Sequence, residues 1–97
     1  MERVNPLESA SQFGMMGKKA MQQGNHPEAL RLLSMGLHQL RSLNCPPHYA
    51  APFLMDQAEC FWRLGNIQEA LHNMGEAIKY GLPNDGFFAE VIIFDIV

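Results

Sequence analysis

Cys45-Pro46-Pro47-His48 is where residue types and spacing come nearest to chemistry in this chain. A thiolate and an imidazole three positions apart can share a zinc ion, and Cys60 and His72 are of the right types to complete four ligands. Cys-x-x-His is only half a site, however, and the other two residues have no short spacing, so no metal is expected. Cys60 falls inside a helical pattern, where a buried small thiol is the ordinary outcome. His26, His38 and His72 read as solvated helix or turn residues. Asp56 and Glu59 share a helix face at i, i+3, a spacing that acid–base chemistry can use, but a lone pair of this kind reads as solvated surface. The chain has no nucleophile elbow, no phosphate-binding glycine loop and no HExxH helix. Neither an enzyme nor a cofactor is predicted.

The elements that would position such residues are helices. Asn5-Pro6-Leu7-Glu8 is a helix start: Asn can accept from the exposed N–H groups, Pro fits the first turn and Glu suits the helix dipole. Ala10, Phe13, Gly17 and Ala20 then fall on one face, and Gly24-Asn25 ends the element. Asn25 and Glu28 can cap a second helix with the stripe Ala29, Leu30, Leu33, Leu37 and Leu40. Asn44 to His48 is the clearest break. A third helix starts between Tyr49 and Pro52, because a proline deeper inside would cost about 3 kcal/mol. Its apolar face is Leu54, Ala58, Phe61 and Trp62, with Leu64 close by. Asn66 and Glu69 repeat the capping pattern ahead of Ala70, Leu71, Met74, Ala77 and Ile78, and Gly81 with Pro83 forms the stop. Residues 87–97 are strongly apolar, and period alone does not decide between helix and strand.

Composition bounds the rest. Ninety-seven residues, 47% hydrophobic and 18% charged, suit a single domain with one core and are not a disordered composition. The net charge is −3, and the seven Lys and Arg form no basic stripe or cluster, so neither nucleic acid nor an anionic membrane surface is an expected partner. No signal-peptide stretch or membrane span is apparent, and two cysteines make no disulfide framework. The expectation is a soluble, cytoplasmic protein.

One phrase occurs twice: Gly24-Asn25-His26-Pro27-Glu28-Ala29-Leu30 and Gly65-Asn66-Ile67-Gln68-Glu69-Ala70-Leu71, starting 41 residues apart. Each copy lies between two helical patterns, so the duplicated unit is a helix-turn-helix. Duplications of this length point to a solenoid, an architecture that presents surfaces for holding other molecules.

The helix pairs resemble tetratricopeptide repeats. The first supplies Phe13, Met16-Gly17, Ala20, Gly24, Ala29, Leu33 and Gly36-Leu37. The second supplies Leu54, Ala58, Phe61, Gly65, Ala70, Met74 and Ala77-Ile78, with Pro83 near the closing proline position. Small residues in this pattern let the paired helices approach closely, and larger ones fill the gaps between pairs. The spacing is seven residues over the family's usual period, which fits an insertion at 44–51. That insertion is similar to repeats in co-chaperones and to the repeat segment of SET- and MYND-domain methyltransferases. Phe61-Trp62-Arg63-Leu64-Gly65-Asn66 and Ala77-Ile78-Lys79-Tyr80-Gly81 resemble the methyltransferase segment.

The resemblance implies an all-α domain over 1–97. Two tetratricopeptide-like hairpins, 6–43 and 52–81, would form a right-handed solenoid stack, with an apolar C-terminal segment at 84–97. It also implies non-catalytic binding of a protein or peptide, as scaffold or adaptor, on the face of the first helix of each pair. That face would carry Met15, Lys18, Met21, Gln22, Met55, Asp56, Glu59 and Arg63. Methionines with mixed charges suit an adaptable peptide groove. Some family members clamp the C-terminal carboxylate of chaperones. The matching early positions here are Gly14, Lys18 and Asp56, and an acid at the last would repel a carboxylate. Phe87, Phe88, Val91, Ile92 and Phe94 are expected to support self-association, because two and a half repeats lie near the lower limit of independent stability. Asp95-Ile96-Val97 resembles a minor PDZ-ligand ending. Two other readings remain: a truncated fragment of a larger SET/MYND methyltransferase-like protein without activity of its own, and a small helical domain that binds trafficking-machinery tails.

Overall fold

The structure is a computed structural model and describes residues 6–80 of the 97. Those residues are all-helical: α1 (Pro6–Gln22), α2 (His26–Ser42), a short 3₁₀ turn (Pro47–Tyr49), α3 (Ala51–Arg63) and α4 (Ile67–Lys79). The expected cap Asn5, the stop at Gly81 and Pro83, and the self-association surface at Phe87, Phe88, Val91, Ile92 and Phe94 lie outside the described residues. No described helix is long and apolar enough to cross a membrane.

Three of the helix ends are built alike. After α1, Gly24 (φ +79°) donates to Met21 O and Asn25 to Ala20 O, at 3.0 and 2.9 Å. After α3, Gly65 (φ +84°) donates to Trp62 O and Asn66 to Phe61 O, at 3.0 and 2.8 Å. After α2, Asn44 (φ 53°) takes the glycine's place, with Cys45 N–H donating to Leu40 O at 3.1 Å. In each, the left-handed residue turns the next N–H back onto a carbonyl that would otherwise lack a partner. The duplicated phrase is therefore a chain reversal that closes one helix and opens the next. The opening caps differ. Asn25 accepts from Glu28 N–H at 3.4 Å, whereas Asn66, with nearly the same backbone angles, makes no side-chain cap bond. The Asn25 contact is already at the long end of the hydrogen-bond range, so a small side-chain displacement separates the two.

α1 packs on α2 and α3 on α4, and α2 meets α3 between the pairs. Close approach within the first hairpin depends on Gly17, where a Cβ would come within 2.8 Å of Leu33, itself fully buried. The second hairpin is seated on the first through Phe53, which fills the hollows above Gly14 and Gly36. A Cβ at Gly14 would meet its ring at 3.0 Å, and one at Gly36 would overlap it. Ala10, Ala20, Ala29, Leu33, Leu37 and Leu40 of the expected stripes are buried, as are Leu54, Ala58, Ala70, Met74 and Ala77. Leu64 and Leu71 stay 49% and 38% exposed, since α3 and α4 turn those faces outward. Two polar side chains are buried as well, Gln57 and Asn73. Asn73 Nδ2 donates to Gln57 Oε1 at 2.9 Å, and Gln57 Nε2 donates to Ser34 Oγ at 3.0 Å. This ladder ties α4, α3 and α2 together, and burial of both amides is tolerated because each is hydrogen-bonded.

Candidate functional site

A furrow runs between α1 and α3. One hollow, of about 180 Å³, is lined by Ser11, Gly14, Met15, Lys18, Pro52, Phe53 and Asp56. A second, of about 200 Å³, is lined by Lys18, Met21, Gln22 and Glu59. Lys18 borders both, so the two form one continuous surface. Its α1 wall is set by helical spacing: positions 14, 18 and 21 face α3, and 15 and 22 form the outer lip. The α3 wall repeats this with 52, 56 and 59.

Lys18 Nζ lies 3.3 Å from Asp56 Oδ2 and crosses the furrow to reach it. Burial pushes the Asp56 carboxyl above the usual carboxylate range, and the neighbouring Glu59 charge adds to that, while Lys18 opposes both. The ion pair leaves Glu59 as the charge in the furrow without an ionic partner among the described residues. Met15 is 70% exposed at the lip, whereas Met21 is half-buried against the core of Ala20, Leu33 and Cys60. The furrow thus offers thioether surface, one neutralised pair and one free acid.

Six of the eight binding residues expected from sequence come together here: Met15, Lys18, Met21, Gln22, Asp56 and Glu59. The structure places Met55 instead against the inner residues Leu54, Ala58 and Met74. Arg63 lies over the Trp62 ring, 5.0 Å from its centroid. Four wall residues, Ser11, Gly14, Pro52 and Phe53, were not among those expected. The signal for Phe53 was present in the two glycines that receive it, but they lie on other helices and far off in sequence. The carboxylate-clamp positions are also accounted for: Gly14 is packed beneath Phe53 and Lys18 is held by Asp56.

The Cys/His residues do not converge. His48 stacks on Tyr49 at 4.6 Å, Cys45 is half-buried, and Cys60 is fully enclosed. Burial, reinforced by the Glu59 and Asp56 charges, pushes the Cys60 thiol up to about 11, so it is protonated and inert as a nucleophile at neutral pH. No three His, Cys, Asp or Glu side chains gather to hold a metal ion among the described residues. Compared with family models, with curated proteins and with solved structures, the chain matches none.

Proposed function

We propose that the chain is a non-catalytic interaction module of the tetratricopeptide type that holds a protein segment in the α1/α3 furrow. The observation that carries this is the furrow itself, where exposed Met15, half-buried Met21 and Glu59, which has no ionic partner among the described residues, line one surface around the Lys18–Asp56 bridge. Methionine is unbranched and polarizable, so it moulds to apolar side chains of varied shape, and an unpaired acid selects a cation nearby. The fitting partner is a peptide or amphipathic helix with an apolar anchor for the methionines and a Lys or Arg for Glu59. The paired helices α1–α2 and α3–α4, and the matched reversals at Gly24 and Gly65, support the tetratricopeptide reading.

The test is selection of binders from a phage-displayed library of random linear peptides, followed by NMR of the chain labelled at its methionine methyls. Selected peptides are expected to shift the Met15 and Met21 signals, and Met15→Glu is expected to weaken them about fivefold or more, roughly 1 kcal/mol. Binders that leave both methyl signals in place would refute the furrow as the site.

A further inference from the structure

On the other flank of α3 lies a cleft of about 380 Å³ between α2 and α4, floored by the Ser34–Gln57–Asn73 ladder. Gln57 is 7% and Asn73 8% exposed, so both amides are more than nine-tenths buried, yet they face this cleft. Each carboxamide carries two N–H donors and a carbonyl acceptor with two lone pairs. The ladder consumes one N–H of Asn73, one N–H and the carbonyl of Gln57, and a lone pair of Ser34. The Ser34 hydroxyl proton, the second N–H of each amide and Asn73 Oδ1 are left over. Asn73 Oδ1 accepts from no described residue and is not sealed from solvent. A ladder that served only to join three helices would be expected to use up or bury its groups.

An acceptor beside a donor on one carboxamide is the complement of the N–H and C=O of one residue in an extended strand, which point the same way, so Asn73 can take that residue's main chain in two hydrogen bonds. Ser34 and Gln57 can then donate to a neighbouring carbonyl. A helix cannot use this arrangement, because its main-chain groups are already paired internally. An extended segment can. At the rim a ligand meets two opposite charges, Arg41 and the Glu76 carboxylate, the latter also accepting from the Tyr80 hydroxyl, with His72 beside them. We propose that this cleft binds an extended peptide segment by its main chain, with an acidic side chain of that segment placed on Arg41 and a basic one on Glu76. The surface is separate from the furrow and goes beyond the function proposed for it.

The experiment is a selection from the same random-peptide library on the full chain, read by NMR of the side-chain NH₂ signals of Gln57 and Asn73. Binders that carry both an acidic and a basic residue are expected to move those signals. Asn73→Leu should weaken them about tenfold or more, the value of one lost main-chain contact. Arg41→Ala, at an exposed position where the fold is not at risk, should weaken them by about half that free energy. N-methylation of the backbone amide that pairs with Asn73 should weaken binding by about the same factor as Asn73→Leu, without any change to the protein. The proposal is overturned if no selected peptide moves the two NH₂ signals, or if N-methylation at every position leaves affinity intact. Peptides that shift only the Met15 and Met21 methyls would overturn it while leaving the furrow reading standing.

Discussion

The two flanks of α3 are made of different chemistry. Toward α1 the surface has methionine, an ion pair and an acid without an ionic partner among the described residues, on partly exposed side chains. Toward α2 and α4 it has buried amides fixed in a ladder. The first is adaptable and suits partners that bring their own shape, because thioethers repack at little energetic cost. The second is preorganised and suits a partner that brings a fixed pattern of donors and acceptors. One helix can present both because its buried stripe separates them.

That contrast can be broken at its common support. Gly36→Ala should have the largest effect, since the new methyl overlaps the Phe53 ring and shifts α3 relative to both flanks. A loss of about 1–3 kcal/mol is expected in urea unfolding, with the furrow and the cleft perturbed together. Unchanged stability would mean that Phe53 is not what seats the second hairpin.

Asn73→Ala should act on one flank only. It strands the buried Gln57 Oε1 without its donor, at about 1–2 kcal/mol, while the methionine methyl signals stay in place. Gln57→Leu combined with Asn73→Leu should recover much of that loss, because no polar group is then left unpaired. If the double variant is worse than the single one, the ladder contributes more than satisfied hydrogen bonds.

Asp56→Asn should be the smallest, under about 1 kcal/mol, and visible mainly as a change with pH. Burial raises the Asp56 carboxyl above its ordinary 3.8 in the folded chain, so folding favours the protonated form. Its contribution is therefore fully present below the ordinary value and is lost as pH rises through the raised one. Relative to the Asn variant, the natural chain should lose stability across that window, as measured by urea unfolding at a series of pH values. A gain instead would show that Lys18 outweighs burial.

Much of the fold was legible in the sequence because its determinants are local. Asn25, Gly24 and Gly65 act within a few residues of themselves, and the stripes Ala29-Leu33-Leu37-Leu40 and Ala70-Met74-Ala77 follow helical period. Most of the furrow was legible for the same reason, since faces of α1 and α3 can be read off their spacing. Met55 was not, because a methionine at the edge of a stripe turns inward or outward according to what stands opposite. Gln57 and Asn73 were missed because amides in a helical pattern read as surface, and their partners are 16 and 23 residues distant.

The sequence by itself determined four helices, the reversals that pair them and the small residues that let them close, all of which depend on neighbours along the chain. Only the tertiary structure decided which side chains meet across helices. Lys18 finds Asp56 from 38 residues away, and Asn73 reaches Ser34 through Gln57. Those meetings depend on how Phe53 seats one hairpin on the other, and a packing contact between distant segments leaves no period in the sequence.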